Sequence, residues 1–507
     1  MMKFSCIVLM IVLTGAAYGY DISPNGRDTS MTSATPGHIV TVLDDVPLPT
    51  SPDYSCQVRM QVGSMDFGDF DNDGDLDLAV GCYHSQSYPP YDDWRNFVLV
   101  NNDGQLESTP SWYSTDSRST CSVKWADFNG DGYLDLFAAN GDFSLDPNVI
   151  YFGSADGLAT TPGWVVSDNT WTLSVAPFDF DQDGDIDLAT ANQGVYPIYN
   201  RPIYLYYNNG NGLDYTPAWQ SSDSSISQVV SWGDIDGDGW YDLGVAKWSN
   251  FQTCVYPNNQ GSMQSTPNWM VSPSFADGAL GFADVDGDSY PEMAVGGSEP
   301  TRLYDNVDGV LGTTPIWQSN NSFHGTQELA WGDIDGDGDP DLATVQFSTR
   351  ELRVYLNVDG VLESTPSWVY QAGSVGTALA FGDVNGDGRL DLAMGLSGQP
   401  CVLVFLNTGS VSVDEKPSKP ETYALSQNYP NPFNAATLIQ YEITRPSDVR
   451  IEIYDLLGNK VETLVSEYQE AGTHSVVWNG KDSPSGVYFY KIKAGNFTDS
   501  RRMLLLK

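Results

Sequence analysis

Histidine is nearly absent from this chain, with four in 507 residues. They stand at His38, His84, His324 and His474, in no Ser/His/Asp-type setting and at no metal-ligand spacing, so the sequence offers no acid–base or nucleophile constellation. Basic residues are scarce as well: 23 Lys+Arg face 66 Asp+Glu, for a formal net charge of −43. A surface so negative repels a phosphate backbone, which excludes nucleic-acid binding and makes a cation the natural partner. Cysteine is sparse. Cys6 lies in an N-terminal apolar run, and the remaining Cys56, Cys82, Cys121, Cys254 and Cys401 are odd in number and scattered. That argues against a disulfide framework, although a pair among Cys56, Cys82 and Cys121 stays open. The long apolar run is confined to residues 1–19, where Lys3 precedes FSCIVLMIVL and small residues end at Ala17-Tyr18-Gly19. It is too short to span a bilayer and reads as a secretory signal peptide; no later segment is long and apolar enough to form a transmembrane span.

Other residues are abundant. Hydrophobic residues make up 41% and aromatic ones 12%, ample for a packed core and contrary to the disorder that the charge alone suggests. Gly (49) and Pro (29) point to many turns and away from long helices. The charge is also uneven. Residues 420–507 hold ten of the 66 acids and nine of the 23 bases, so nearly all the imbalance lies before them.

A nine-residue acidic motif accounts for it. It occurs as DFDNDGDLD from Asp69, DFNGDGYLD from Asp127, DFDQDGDID from Asp179, DIDGDGWYD from Asp234, DVDGDSYPE from Asp284, DIDGDGDPD from Asp333 and DVNGDGRLD from Asp383. The start-to-start spacings are 58, 52, 55, 50, 49 and 50, the signature of a repeat architecture. Short apolar runs flank each copy, such as SMDFG before and LAVG after, and a third follows, such as NFVLV or LRVYL. They are too short for helices and are bounded by Gly and Asp, so they predict strands. A second signature closes each repeat: STPSW, TTPGW, YTPAW, STPNW, TTPIW and STPSW. About four strands per ~50 residues is the size of a propeller blade. Seven acidic motifs meet only six TPxW signatures, and Thr35-Pro36-Gly37-His38-Ile39-Val40 matches Thr161-Pro162-Gly163-Trp164-Val165-Val166. The expectation is an all-β seven-bladed β-propeller over 20–409, with a strand near 35–42 completing the last blade.

Alternating carboxylates converge on one centre when the backbone curls around it. Gly at position six allows the sharp turn, position seven offers its carbonyl, and position nine returns another carboxylate. Hard oxygen ligands in this number suit Ca²⁺, whereas Mg²⁺ demands a stricter octahedron. The candidate ligands are Asp69, Asp71, Asp73, Asp75 and Asp77 in the first loop, and Asp127, Asn129, Asp131, Tyr133 and Asp135 in the second. The third holds Asp179, Asp181, Asp183, Asp185 and Asp187, and the fourth Asp234, Asp236, Asp238, Trp240 and Asp242. The fifth holds Asp284, Asp286, Asp288, Tyr290 and Glu292, with Ser289 in place of the glycine. The sixth holds Asp333, Asp335, Asp337, Asp339 and Asp341, and the seventh Asp383, Asn385, Asp387, Arg389 and Asp391. An EF-hand needs a carboxylate at position twelve; here that position is Val80, Ala138, Thr190, Val245, Val295, Thr344 or Met394. Up to seven structural Ca²⁺ ions would offset 14 of the 43 excess negative charges.

These loops resemble the calcium-binding loops of FG-GAP (VCBS-type) repeats, which form the propeller of integrin α-subunits. Phe67-Gly68-Asp69 and Phe381-Gly382-Asp383 before the loop, and DLAVG after it, carry the resemblance. It implies side-chain ligands at positions one, three, five and nine and a backbone ligand at seven.

Residues 410–423 are polar and Pro-containing, a linker. In 424–507 alternating apolar segments with Gly and Asn turns predict a small antiparallel β-sandwich. NYPNPFN, IYDLLGNKV, GVYFYKI and the basic end at Arg501, Arg502 and Lys507 resemble the C-terminal sorting domain of type IX secretion cargo. That resemblance implies the type IX machinery as a partner and export across the outer membrane, with the product extracellular or attached to the cell surface.

Two connections between second and third strands are long and aromatic, CYHSQSYPPYDDWRN and NQGVYPIYNRPIY. Tyr83, Tyr88, Tyr91, Trp94, Tyr196, Tyr199 and Tyr204 there are candidates for a glycan or protein platform on the face opposite the acidic loops. The expected function is a calcium-binding adhesion or binding module. The alternative is a carbohydrate-active enzyme of the polysaccharide lyase kind using the same face.

Overall fold

The architecture is that of a computed structural model, which describes residues 41–42, 46–83, 94–141, 146–166, 170–194, 199–210, 212–248, 252–271, 277–320, 325–409 and, within 423–505, all but 429–430, 432, 434–435, 470–471, 482 and 496. The signal segment, residues 35–40 and residues 410–422 lie outside them. Among the described residues there is no helix.

Strands gather in chain order into small antiparallel sheets, one on each acidic motif, the first and seventh being joined edge to edge through Met60 and Gly398 into a single eight-stranded sheet. The first contains Met60–Gly68, Asp77–Cys82, Phe97–Leu99 and Trp112–Tyr113, and the second Thr120–Ala126, Asp135–Asn140, Asn148–Tyr151 and Trp164–Val166. The next four repeat the pattern, their first strands being Trp171–Phe178, Ser227–Gly233, Asp277–Ala283 and Thr326–Gly332. The seventh is built on Gly376–Gly382, Asp391–Gly398 and Val402–Phe405. In every sheet the acidic motif is the connection between first and second strands. All seven first strands carry a register irregularity near their start, for example between Val62 and Ser64 and between Thr326 and Glu328. Such bulges bend and twist a strand at a fixed point.

The second strand explains why the sheets associate. DLAVGC, DLFAAN, DLGVAK, EMAVGG and DLATVQ are buried along their whole length. A strand without polar alternation is covered on both faces. The cover comes from the neighbouring sheets. Each of seven apolar clusters draws on two consecutive sheets, and the last joins Ala393, Val402 and Val404 of the seventh to Val62, Val80 and Phe97 of the first. The arrangement is propeller-like.

The TPxW tryptophans pack between sheets. Trp112, Trp164, Trp219, Trp269 and Trp317 stand edge-on to Tyr151, Tyr206, Tyr256, Tyr304 and Tyr355 of the following sheet. Trp368 does the same to Phe405.

The outer strand of the seventh sheet differs from expectation. Thr41–Val42 pairs with Trp368 and Val369, extending the sixth sheet. The strand beside Val402–Phe405 is Tyr54–Cys56, with Tyr54 opposite Val404 and Cys56 opposite Val402. Asp53 secures it, its carboxylate accepting from the Leu406 N–H at 2.8 Å and its own N–H donating to the Val404 carbonyl at 2.8 Å. The physical reason is proximity: Cys56 lies four residues from Met60, where the first sheet begins beside Gly398 of the seventh.

The C-terminal region forms two antiparallel sheets, one with Ala436–Ile443 and Gly472–Asn479, the other with Ser447–Asp455, Lys460–Gln469, Gly486–Ala494 and Phe497–Leu505. Both supply one core, in which Ile439, Tyr441 and Trp478 meet Ile451, Tyr490, Ile492 and Met503. Its last strand reaches the fourth acidic loop, where the Arg502 guanidinium donates to the Gly239 carbonyl at 3.0 Å.

Candidate metal centres

The loop backbone winds around the carboxylate at position one. In the first loop Asp69 accepts from the N–H groups of Asp73 (3.0 Å) and Gly74 (3.1 Å). Asp71 accepts from Asp73 at 3.3 Å and Asp73 from Asp75 at 3.0 Å, so each carboxylate props the next turn of chain. Position nine is buried and braces the loop from below: Asp77 accepts from Phe70 N–H at 3.1 Å and Asn101 N–H at 2.8 Å.

The winding brings carboxylates together. Oxygens of Asp69, Asp71 and Asp77 lie within 4.8 Å of one another, as do those of Asp179, Asp181 and Asp187, of Asp234, Asp236 and Asp238, of Asp284, Asp286 and Glu292, and of Asp333, Asp335 and Asp341. In the second and seventh loops an amide stands at position three and does the same backbone work. Asn129 accepts from Asp131 N–H at 2.9 Å and Asn385 from Asp387 N–H at 3.0 Å. The fifth loop keeps the fold despite its substitutions. Ser289 adopts the left-handed φ of +79° that the glycine takes elsewhere, and its N–H reaches Asp284 at 3.0 Å. Glu292 receives the Val285 N–H at 2.7 Å, the bond Phe70 makes to Asp77. The seventh loop carries its own cation, since Arg389 pairs with the Asp387 carboxylate.

Packing so many carboxylates costs protonation energy. Burial first, then the repulsion of Asp73 and Asp71, pushes Asp69 up to about 6. Burial likewise raises Asp77 to about 8, Asp135 to about 8, Asp187 to about 9 and Asp341 to about 8, although each accepts backbone N–H bonds that pull the other way. Four carboxylate oxygens, Asp179 Oδ1, Asp187 Oδ2, Asp234 Oδ1 and Asp284 Oδ1, are buried with no hydrogen-bond partner. Buried acceptors are rarely left so. Converging acceptors without a donor fit a hard divalent cation, and the donor set is compatible with Ca²⁺.

Sequence reasoning missed the asparagine that ends each third strand. The N–H of Asn101, Asn208, Asn258, Asn306, Asn357 and Asn407 bonds to the position-nine carboxylate of its own loop; Gly153 takes the place in the second sheet. The signal was the recurring Asn before Asn-Asp-Gly, Val-Asp-Gly or similar turns. These turns also press on the preceding loop. A Cβ on Gly309, at φ +81°, would sit 3.0 Å from the Asp236 Cα, so only glycine fits.

The aromatic candidates do not gather into one exposed group among the described residues. Tyr83 is buried and Trp94 packs against the core between the seventh and first sheets. Tyr204 lies in a third-sheet strand against Tyr206, while Tyr199 is exposed. Tyr88, Tyr91 and Tyr196 lie outside the described residues.

Comparison with known proteins follows the same division. The model of the FG-GAP-like repeat matches residues 69–138, 127–190, 284–344 and 333–394. That of the secretion system C-terminal sorting domain matches 427–506. No curated protein matches the chain in sequence. Among solved structures, a chain from the crystal structure of BBS1N in complex with ARL6DN, soaked with lead, is similar at 13% identity and a TM-score of 0.50, covering 71% of this chain and 98% of that one. At that identity the likeness concerns the fold.

Proposed function

We propose that this chain, which carries four FG-GAP-like repeats and ends in a type IX secretion sorting domain, is an exported binding or adhesion module. Its body is a closed seven-bladed propeller stapled by up to seven Ca²⁺ ions. Its ligand is a glycan or a surface protein. The sorting domain directs it through the type IX system to the cell surface or extracellular space. Closure is supported by the apolar cluster shared between the seventh sheet and the first.

The observation that carries the metal assignment is the set of buried carboxylate oxygens without donors at Asp179, Asp187, Asp234 and Asp284. In each loop positions one, three, five and nine would hold the ion by side chain and position seven by its carbonyl. The ion supplies positive charge and fixed geometry; the chain's own residues hold the loop open for it. Loops that saturate an ion this way act as staples, leaving ligand recognition to the opposite face, where exposed Tyr199 stands.

The test has two arms. Calcium titration followed by thermal unfolding should raise Tm, and an unchanged Tm after EGTA treatment overturns the staple. Glycan-array binding without product formation supports a binding module; release of unsaturated sugar from a polyuronide overturns it in favour of a lyase.

A further inference from the structure

Two cysteines meet where the chain's N-terminal strand joins the seventh sheet. Cys56 ends the Tyr54–Cys56 strand, and Cys401 immediately precedes Val402, its cross-strand partner. The Cys401 N–H donates to the Cys56 carbonyl at 3.0 Å, and the Cys401 sulfur lies 3.7 Å from that same oxygen. Both side chains are buried, at 2% and 0% exposure, in the cluster that unites the seventh sheet with the first. Hydrogen bonding with Cys401 holds the Cys56 thiol below its ordinary range, while the same interaction, with burial adding, pushes the Cys401 thiol up. One sulfur is thus the better nucleophile and the other its proton-bearing neighbour, the asymmetry that thiol–disulfide exchange uses.

We propose that Cys56 and Cys401 form a disulfide that clasps the seam of the repeat region once the protein reaches an oxidising compartment. The oxidant is a disulfide, small or protein-borne. The Cys56 thiolate attacks one of its sulfurs, giving a mixed disulfide and releasing the first thiol. The Cys401 thiolate then attacks the Cys56 sulfur and expels the second. The donor leaves reduced by two electrons as two thiols, which carry the two protons that the cysteines give up. Without the bond the seam is held only by non-covalent contacts: the three-residue strand with Asp53, the Met60–Gly398 pairing, the shared apolar cluster and the Asn101 bond to Val384. With it the covalent loop spans residues 56 to 401, so the denatured chain loses much of its freedom. The clasp differs from a framework of several bridges, because Cys121 and Cys254 lie in other sheets. Cys82 is the competing third thiol, since it is buried in the same cluster.

The full chain is refolded in a glutathione/glutathione disulfide buffer, denatured, alkylated without reduction and mapped by mass spectrometry. This readout does not depend on whether the chain is exported. The expected product is one cross-linked peptide pair joining Cys56 to Cys401, with Cys82, Cys121 and Cys254 alkylated. Alkylation of both Cys56 and Cys401, or a link from either to Cys82, overturns the proposal. A second measurement compares melting with and without dithiothreitol. Reductant should lower the wild-type Tm by roughly 5 °C or more and leave Cys56→Ala/Cys401→Ala unmoved; equal responses overturn it. Should that variant fail to fold, the wild-type mapping still decides.

Discussion

The side-chain amide of Asn101 donates to the backbone carbonyl of Val384 at 2.7 Å, across 283 residues of sequence. It joins the end of a third strand in the first sheet to the acidic loop of the seventh. The same bond runs from Asn208 to Phe128, Asn258 to Phe180, Asn306 to Ile235, Asn357 to Val285 and Asn407 to Ile334, each reaching the loop before its own. Since the backbone N–H of the same asparagine holds the position-nine carboxylate of its own loop, one residue couples two adjacent candidate metal sites. The second sheet lacks the side chain, having Gly153, and so lacks the link.

Asn357→Ala should therefore act on two loops at once. It strands the Val285 carbonyl in a buried site, and the expected loss is about 1–3 kcal/mol of stability. Exposed Asn102→Ala should stay within roughly 0.5 kcal/mol. Denaturant unfolding of both, with and without calcium, checks this. Equal effects would remove the coupling role.

Position nine and position three should separate structural from metal effects. Asp77→Ala removes a buried acceptor of two backbone N–H groups and should cost about 2–3 kcal/mol even with EGTA present. Asp71 is exposed and accepts one long bond. Asp71→Ala should leave the metal-free melting temperature nearly unchanged while shrinking the rise produced by calcium. Melting curves in EGTA and in calcium distinguish the two.

The loops were legible because a carboxylate at every second position is a pattern within nine residues. The TPxW signature was legible as part of the repeat because it recurs six times, while the packing of its tryptophans against the following sheet shows only in three dimensions. The asparagines were not, because one Asn per repeat acquires its role only when the next sheet delivers a carbonyl to it. The strand at the seam was misplaced for a related reason. The likeness of residues 35–40 to 161–166 suggested the outer strand of the last blade, whereas Tyr54–Cys56, with no TPxW signature, occupies it. Its register depends on Asp53 and on the nearness of Met60, facts of three-dimensional arrangement that local pattern does not encode.

The indole N–H groups predict a graded substitution series. Trp112 donates to the Leu158 carbonyl at 2.9 Å, Trp164 to Leu213 at 3.0 Å and Trp269 to Leu311 at 2.9 Å, always into the following sheet. Trp368 packs equally well but its Nε1 is buried without a partner. Trp112→Phe and Trp164→Phe should cost roughly 1–2 kcal/mol more than Trp368→Phe, since only they strand a carbonyl. Urea unfolding midpoints measure the order, and a Trp368→Phe cost equal to the others would contradict it.

Protonation gives the metal-free and calcium-loaded proteins opposite pH responses. Burial holds Asp77 and Asp341 protonated up to about 8, Asp187 up to about 9 and Asp391 up to about 7. In the unfolded chain the same groups ionise near about 4. Between those limits the native metal-free state binds more protons than the unfolded one, so its stability falls as pH rises from 5 to about 8. A bound cation requires the deprotonated form, so calcium binding releases protons and tightens over the same window. In EGTA, Tm should therefore be higher at pH 5.5 than at pH 8. In saturating calcium the Tm increment should be larger at pH 8, with proton release visible in calorimetry as a dependence of binding enthalpy on buffer. A metal-free Tm that climbs steadily from pH 5.5 to pH 8 would show that the position-nine carboxylates are already ionised without the cation, and the buried-ligand reading of these loops would fall.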